Sequence, residues 1–596
     1  MPLVNDNLLP REVGMVSSSS INPEIMSRIQ AWLDGPYDET AKAEIRSKLS
    51  KDPQSLIDAF FTDLSFGTGG MRGLMGIGTS RLNTYTIRMA TQGLANYLLL
   101  QKKQKLSAFI GFDSRHHSQE FAQEAACVLA GNGIHVYLLP ELRPTPYISF
   151  GCRYKKCDAG IMITASHNPK EYNGYKVYGS DGAQVVHPHD TGIMQEVAKV
   201  KSPSQVRQAP LNDPHIEIVD LVLDAAYLNA IRPLQHFPKE NHSDGKSVGI
   251  AYTSLHGTGI TIVPQALKDW GFSNIHFVDA QIKPDGDFPT VHFPNPEYPE
   301  ALALGIQKMN EAKSDILIAN DPDADRIGIV AMHDGKPVTL NGNETASICV
   351  DYLCEVLSPP PAKGAFVTTI VTTELLKKIA KANHFDCFEV LTGFKYIGEK
   401  IHQWEQKKES SHFIFGAEES YGYLLGTHAR DKDAIIISCL IAEIALYAKR
   451  QKKTLVDRLH QIYRRYGIHR EKQHSLNFKP GKEGMEEMKR LMDKLRKNLP
   501  KKIAGQPIVE IEDYESLKKT QISTGKTEKI DLPQSDVLLF RLQDQTRLVI
   551  RPSGTEPKIK IYASTSLPAP PDLAQGITQC DAKLEQVIQS LQHDLS

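Results

Sequence analysis

The feature that most limits what this chain can fold into is a rhythm: short apolar runs that read as strands, separated by helix-patterned stretches, recurring three times. From Leu106 to Tyr175 the runs AFIGFD, IHVYLL and AGIMIT alternate with helix-like pieces such as SQEFAQEAACVLAGNG, the pattern of strand, helix, strand units. It returns in SVGIAYTSLHGTG, NIHFVD and DILIANDPDAD, and again in GAFVTTIVTT, CFEVLTG and HFIFGAEES. This predicts three α/β units of comparable size, with no residue-level repeat to mark duplication. After about Glu471 a lysine-rich helical stretch, GMEEMKRLMDKLRKNL, precedes DVLLFRLQDQTRLVIRPSGTEPKIKIYAST. There apolar alternation broken by turn residues reads as antiparallel strands, hence a smaller fourth α+β unit. Linkers are expected near Val222 to Arg232, near Pro337 and around Arg464 to Glu471. They divide the chain into 1–224, 225–338, 339–470 and 471–596.

That division fits a chain of 596 residues, since hydrophobic cores stop growing at a few hundred residues and chains then split into domains of roughly 100 to 200. The 69 basic and 70 acidic residues give a net charge of -1 without long runs of one sign, which argues against nucleic acid as a main partner. Eight dispersed cysteines lack CxxC spacing and read as free buried thiols of a reducing compartment. The N-terminus shows no apolar export signal. The most apolar window, AIIISCLIAEIALYA from Ala434, contains Glu443 and is shorter than the roughly 20 residues a bilayer requires. A buried helix, no membrane partner and a cytoplasmic location are therefore expected.

Four polar motifs stand at the ends of apparent strands, one in each unit. IMITASHNPKEYNGYKVY delivers Ser166 and His167 into a polar turn. Ser166 there can act as a nucleophile, with His167 or Lys176 as acid/base partner. Equally, Thr164, Ser166 and Asn168 can simply bond the local backbone. DILIANDPDADRIGIV runs a buried strand into Asp321, Asp323 and Asp325, with Arg326 next. Three alternating carboxylates suit a hard divalent cation such as magnesium better than a solvated acidic turn. FIFGAEESYGYLLG places Glu418, Glu419 and Ser420 after a strand, with Arg430 and Lys432 following; acceptors there fit sugar hydroxyls and the cations fit a phosphate, or the loop is merely solvated. RLVIRPSGTEPKIKIY offers Arg551, Ser553, Gly554 and Thr555 in one tight turn, a nest suited to phosphate or an ordinary hairpin loop. FGTGGMRGLMGIG carries Arg72 but lacks the P-loop lysine, so nucleotide triphosphate is not indicated.

Together, TASHNP, DPDADR, GAEESYG and RPSGTEPK, in this order, resemble the phosphohexomutase family, which includes phosphoglucomutases and phosphomannomutases. The likeness runs from about Phe66 to Tyr562. KEYNGYKVY and TGFKYIG look most like its phosphopentomutase-type phosphoglucomutase branch. The resemblance implies three similar mixed α/β domains plus a C-terminal α+β domain around a central cleft. It further implies a phosphosugar mutase that interconverts sugar 1-phosphates with 6-phosphates (or 5-phosphates) by way of a phosphoserine and a bisphosphate intermediate. On that likeness Ser166 is the catalytic serine and Lys176 the general acid or base. Arg72 and Arg326 stand near the transferring phosphoryl, while Asp321, Asp323 and Asp325, with a phosphoserine oxygen of Ser166, hold one magnesium ion per chain. Glu418 and Ser420 read the sugar, and Arg551, Ser553, Gly554 and Thr555 clamp the distal phosphate. Glucose 1,6-bisphosphate is the expected activator, and the expected state is a monomer or weak homodimer. A phosphomannomutase, a glucose 1,6-bisphosphate synthase, a metal-dependent phosphomonoesterase and a non-catalytic phosphosugar-binding protein are the alternatives. TGFKYIG does not decide among glucose, mannose and pentose.

Overall fold

The computed structural model describes residues 21–64, 66, 70–220, 222–407, 411–479, 482–554 and 557–595. Its first sheet is built from β1 (Gly70–Leu74), β2 (Ser107–Phe112), β3 (His135–Leu138), β4 (Ala159–Ile163), β5 (Tyr172–Gly179) and β6 (Ile216–Ile218), in the order β1-β5-β4-β2-β3-β6. The second contains β7 (Ile250–Thr253), β8 (Ile275–Phe277), β9 (Ile316–Asn320), β10 (Ile327–His333) and β11 (Lys336–Leu340), in the order β11-β10-β9-β7-β8. The third contains β12 (Gly364–Thr369), β13 (Asp386–Val390), β14 (His412–Glu418) and β15 (Gly422–Leu425), in the order β13-β12-β14-β15.

A common core underlies all three. The strands β2, β7 and β12 each lie parallel between two neighbours. In each unit the later neighbour (β4, β9 or β14) then pairs antiparallel with the strand after it. β4 and β9 are buried at every position, as their unbroken apolar runs require when helices cover both faces of a sheet. An apolar strand that must turn back on itself exposes polar residues only at the turn. Ser166, the three aspartates and Ser420 all fall in these corresponding turns.

The fourth unit differs. β16 (Ile468–Asn477), β17 (Lys502–Ile503), β18 (Gln506–Asp513), β19 (Lys518–Gln521), β20 (Thr527–Lys529), β21 (Leu538–Leu542), β22 (Arg547–Pro552) and β23 (Lys558–Leu567) pair antiparallel. The lysine-rich stretch is the helix Lys482–Lys497. Ahead of the first sheet, helices Pro23–Asp34, Glu39–Lys51 and Pro53–Phe60 pack around Trp32, Phe60 and Tyr85.

The apolar window from Ala434 is the buried helix Ala434–Arg450. Its Glu443 carboxylate accepts from the backbone N–H groups of His236 and Phe237, from Asn241 Nδ2 and from Tyr352 OH, which is how a carboxylate survives inside a core. Among the described residues no helix is long and apolar enough to cross a membrane. All eight cysteines are free; six are buried, but Cys127 and Cys387 are only half-buried. The expected linker positions coincide with regular elements. Val222–Ile231 is a helix, Pro337 pairs with Met332 inside the β10–β11 hairpin, and Arg470 and Glu471 already belong to β16. The dividing points 224, 338 and 470 therefore each fall within a regular element; at 338 the turn residues of HDGKP close the β10–β11 hairpin.

Candidate active site

The turn after β4 is held in an uncommon backbone state. Ser166 has φ +53°, a left-handed conformation that costs a non-glycine residue energy and persists where surrounding contacts impose it. Thr164 Oγ1 accepts from Ser166 N–H at 2.8 Å, the local side-chain bond expected of such a turn, and the Ser166 hydroxyl remains available. It donates to Asp323 Oδ2 at 2.9 Å. A serine hydroxyl at the end of the first sheet thus meets a carboxylate at the end of the second.

That carboxylate belongs to the turn after β9. Asp321 Oδ1 accepts from the N–H groups of Asp325 at 3.1 Å and Arg326 at 2.9 Å, curling the turn around itself. Asp323 Oδ2 also accepts from Thr145 Oγ1 and from Lys176 Nζ, both at 2.8 Å. Asp325 Oδ2 receives Lys176 Nζ at 3.2 Å and Lys432 Nζ at 3.1 Å. One oxygen of each aspartate, Asp321 Oδ2, Asp323 Oδ1 and Asp325 Oδ1, is buried without a hydrogen-bond partner. Buried acceptors are rarely left so. Since one oxygen of each residue lies within 4.8 Å of the others, the residues fit a hard divalent cation. Burial, with Asp323 and Asp325 adding, pushes the Asp321 carboxyl well above the carboxylate range. Burial also opposes ionisation of Asp325, but Lys432, Lys176 and Arg326 outweigh it and hold this carboxyl low.

The surrounding groups divide by charge. Burial pulls Lys176 down, and Asp323 and Asp325 more than restore it, leaving its ammonium held above the usual range. Burial first, then the Arg326 and Arg72 charges, holds His167 well below its ordinary value. Its neutral imidazole lies with Nδ1 3.9 Å from Asp321 Oδ2. Arg72, on β1 opposite Gly174 of β5, donates to Asn168 Oδ1 at 3.2 Å. Arg326 pairs with Glu297.

The turn after β14 joins the same centre. Ile327 N–H donates to Tyr421 O at 3.0 Å, and Arg326 and Gly422 form an isolated β-bridge. Glu418 is buried and accepts from Gly393 N–H at 2.9 Å; Ser420 is half-buried in the turn. Lys432 lies on Asp325 and Asp431 rather than in open solvent. Arg430 departs from the phosphate role read for it: its guanidinium is turned into the core, bound to Glu405 and to the carbonyls of Thr427 and Ala429. Arg551 stands opposite Lys560 on the β22–β23 hairpin. Burial, with the Arg551 charge adding, holds Lys395 of TGFKYIG below its usual range. Ser553 N–H donates to Lys558 O at 2.8 Å, Gly554 is exposed, and Thr555 lies outside the described residues.

Three participants escaped the sequence reading. Thr145, from RPTPY, holds Asp323. Asp431 accepts from Tyr178 OH at 2.9 Å and Gln184 Nε2 at 3.0 Å, tying the first unit to the third beside Lys432. Arg115, from FDSRH, bonds the carbonyls of Ser166 and Pro169. The available signal was position: Arg115 and Thr145 follow β2 and β3 by a few residues, at the same sheet edge as Ser166.

Family models match three stretches of the chain: phosphoglucomutase/phosphomannomutase alpha/beta/alpha domain I over residues 63–204, domain II over 225–335 and domain III over 341–466. A phosphoglucomutase of Staphylococcus haemolyticus is 40% identical over 515 residues, which span 85% of this chain and 91% of the relative. One of Staphylococcus aureus is 39% identical over 525 residues, 87% and 93% of the two chains. Parafusin, the phosphoglucomutase of Paramecium, solved in an open form, superposes with a TM-score of 0.64 at 18% identity, covering 89% of this chain and 95% of its own. A phosphoglucomutase/phosphomannomutase family protein of Burkholderia thailandensis gives 0.63 at 17%, with 90% and 97% covered. At such identities the structural likeness speaks for the fold alone.

Proposed function

This chain belongs to the phosphoglucomutase/phosphomannomutase family and is a mutase enzyme of the phosphotransferase type, and we propose that it interconverts glucose 1-phosphate and glucose 6-phosphate through phosphorylated Ser166. The observation that carries this reading is the contact between Ser166 Oγ and Asp323 Oδ2, which sets a nucleophile against a carboxylate group fit for a cation. Glucose is preferred because relatives at 38 to 40% identity carry the phosphoglucomutase name.

Asp321, Asp323 and Asp325 would hold one magnesium ion, joined by a phosphoryl oxygen on Ser166; bound there, it neutralises charge on the transferring phosphoryl. The chain's own groups do the rest. The hydroxyl of a sugar monophosphate attacks phosphorus in line, and the bond from phosphorus to Ser166 Oγ breaks as the new ester forms. Neutral His167 takes the hydroxyl proton, and the Lys176 ammonium protonates the departing Ser166 oxygen. Arg72 and Arg326 hold the equatorial oxygens. The sugar bisphosphate then turns over, and the same steps in reverse return its other phosphoryl to Ser166. Glu418 and Ser420 bond sugar hydroxyls in both orientations, while Lys432 and the Arg551, Ser553, Gly554 and Thr555 turn grip whichever phosphate is distal. Glucose 1,6-bisphosphate is the free form of the intermediate and primes the serine. We place the enzyme in the cytoplasm with sugar phosphates as its partners, and its four units end at the element boundaries beside 224, 338 and 470.

The test is a magnesium-dependent coupled assay, primed with glucose 1,6-bisphosphate, on the 1-phosphates of glucose, mannose and deoxyribose, with Ser166→Ala as control. Isomerisation of the glucose ester, lost in Ser166→Ala, is expected. Preference for another sugar reassigns the substrate; free phosphate release without isomerisation, or an active Ser166→Ala protein, overturns the mutase reading.

A further inference from the structure

We infer that Arg115 is the residue that positions the Ser166 nucleophile, and that it does so by joining the Ser166 turn to the second unit. Its side chain is fully buried. Nη1 donates to Pro169 O at 2.8 Å and Tyr172 O at 3.0 Å. Nη2 donates to Ser166 O at 2.6 Å and Asn168 O at 2.5 Å. Three carbonyls of the turn and that of Tyr172, which opens β5, converge on one planar cation, an arrangement that suits the fixed fork of a guanidinium and not the point charge of an ammonium.

Two further contacts fix the guanidinium itself. Asp113 Oδ2 lies 3.3 Å from Nε. The other oxygen of Asp113 accepts from Arg115 N–H at 3.0 Å and Ser118 Oγ at 2.7 Å, so the carboxylate cannot swing away. On its face the guanidinium meets Phe288, 4.9 Å from the ring centroid. Phe288 is buried, stands in the loop between β8 and the helix Pro299–Glu311, and has φ +47°. That loop also reaches the Ser166 turn from outside, through Asp287 on Lys170 at 3.2 Å and on His116 at 3.3 Å.

The consequence is geometric. A trans peptide points its N–H opposite its C=O; with the Ser166 carbonyl drawn onto Arg115, the N–H of His167 is turned the other way. Ser166 can hold its left-handed backbone because its own carbonyl and those of Asn168 and Pro169 after it are anchored on Arg115, while its N–H is held by Thr164 Oγ1. The Phe288 contact sets this anchored turn in register with Asp323, since Phe288 and Asp323 belong to one unit.

The inference rests on the phosphoserine reading, and its test separates the two. Full-length protein is incubated with glucose 1,6-bisphosphate and phosphate on Ser166 is followed by mass spectrometry. If wild type takes up no phosphoryl, the phosphoserine reading fails, and the inference with it. With wild type labelled, folded Arg115→Lys is expected to label about 100-fold more slowly, the cost of a misplaced reacting group, while the bisphosphate concentration giving half-maximal rate changes by less than about 3-fold. Labelling at the wild-type rate, or a loss matched by an equal loss of folded protein, overturns the inference alone. Should Arg115→Lys not fold, Phe288→Leu decides: it keeps an apolar filler and removes the ring face, so labelling about 3-fold slower at unchanged Tm supports the link, and unchanged labelling refutes it.

Discussion

Ser166 and Asp323 touch across two sheets: the serine hydroxyl donates to a carboxylate oxygen that also receives Thr145 and Lys176. The crowding of three donors on one oxygen leaves Asp323 Oδ1 unpartnered. Thr145→Val keeps the shape and removes one donor, so it should cost about 1 kcal/mol of stability and lower kcat without raising KM. Denaturant unfolding and initial rates check both.

A cation bound by folded but not unfolded protein stabilises the fold by mass action. Magnesium added to chelator-treated protein at a hundredfold over its Kd should contribute about 2.7 kcal/mol, read as a rise in Tm. Asp325→Asn should lose the rise and the activity together. A Tm indifferent to magnesium in wild type would remove the cation from the aspartate turn.

Lys176→Met places an uncharged side chain where an ammonium meets Asp323 and Asp325. Removing one partner of a buried ionic group is expected to cost about 3 to 5 kcal/mol, and loss of an acid in the transfer step about 100- to 10,000-fold in kcat. Magnesium should recover part of the lost Tm, since it supplies charge to the same oxygens, and none of the lost rate. Calorimetry with and without the ion distinguishes the two contributions.

Glu419 and Glu471 give the protein a pH dependence of definite sign. Both line a cavity of about 210 Å³ between the third and fourth sheets, with Arg547 and Tyr562. Burial first, with Glu418 adding, pushes Glu419 up to about 7; burial, with the Glu344 charge adding, outweighs Thr373 and Arg470 to push Glu471 up to about 7. An acid whose folded value exceeds its ordinary 4.5 keeps its proton in the native state after the unfolded chain has lost it. Stability is therefore present below that ordinary value and is lost as pH rises through about 7. Glu471→Gln, which cannot titrate, should flatten the fall in Tm across that window, and an unaltered slope would contradict the shift.

Much of the site was legible because apolar strands end abruptly in polar turns. An unbroken run such as IMIT or ILIAN has nowhere to go but a sheet interior, so the Ser166 and Asp321 turns announce themselves. Arg115 shares that place after an apolar strand, but its role does not show there: the carbonyls it binds lie 51 to 57 positions away, which no side-chain pattern records. Arg430 misled for the converse reason. An arginine near a glutamate-rich turn looks solvent-facing, whereas Glu405 and two carbonyls draw it inward. Near Pro337 the turn residues Asp334 and Gly335, both with positive φ, close a hairpin between β10 and β11.

Main-chain bonds stitch the first three units to one another: Thr145 N–H to Asp323 O at 2.8 Å, Ala434 N–H to Ala324 O at 3.2 Å and Ile327 N–H to Tyr421 O at 3.0 Å. The fourth unit is tied to the third by side chains, with Arg541 on Glu374, Arg470 on Glu344 and Arg547 on the Ile370 carbonyl. The turns that carry the serine, the aspartates and the glutamate are thus planks of one hull, seamed by main chain, while the unit bearing Arg551 is bolted to that hull by side chains, the polar ties and the buried cluster of Ile370, Val371 and Leu391 with Val549 and Tyr562.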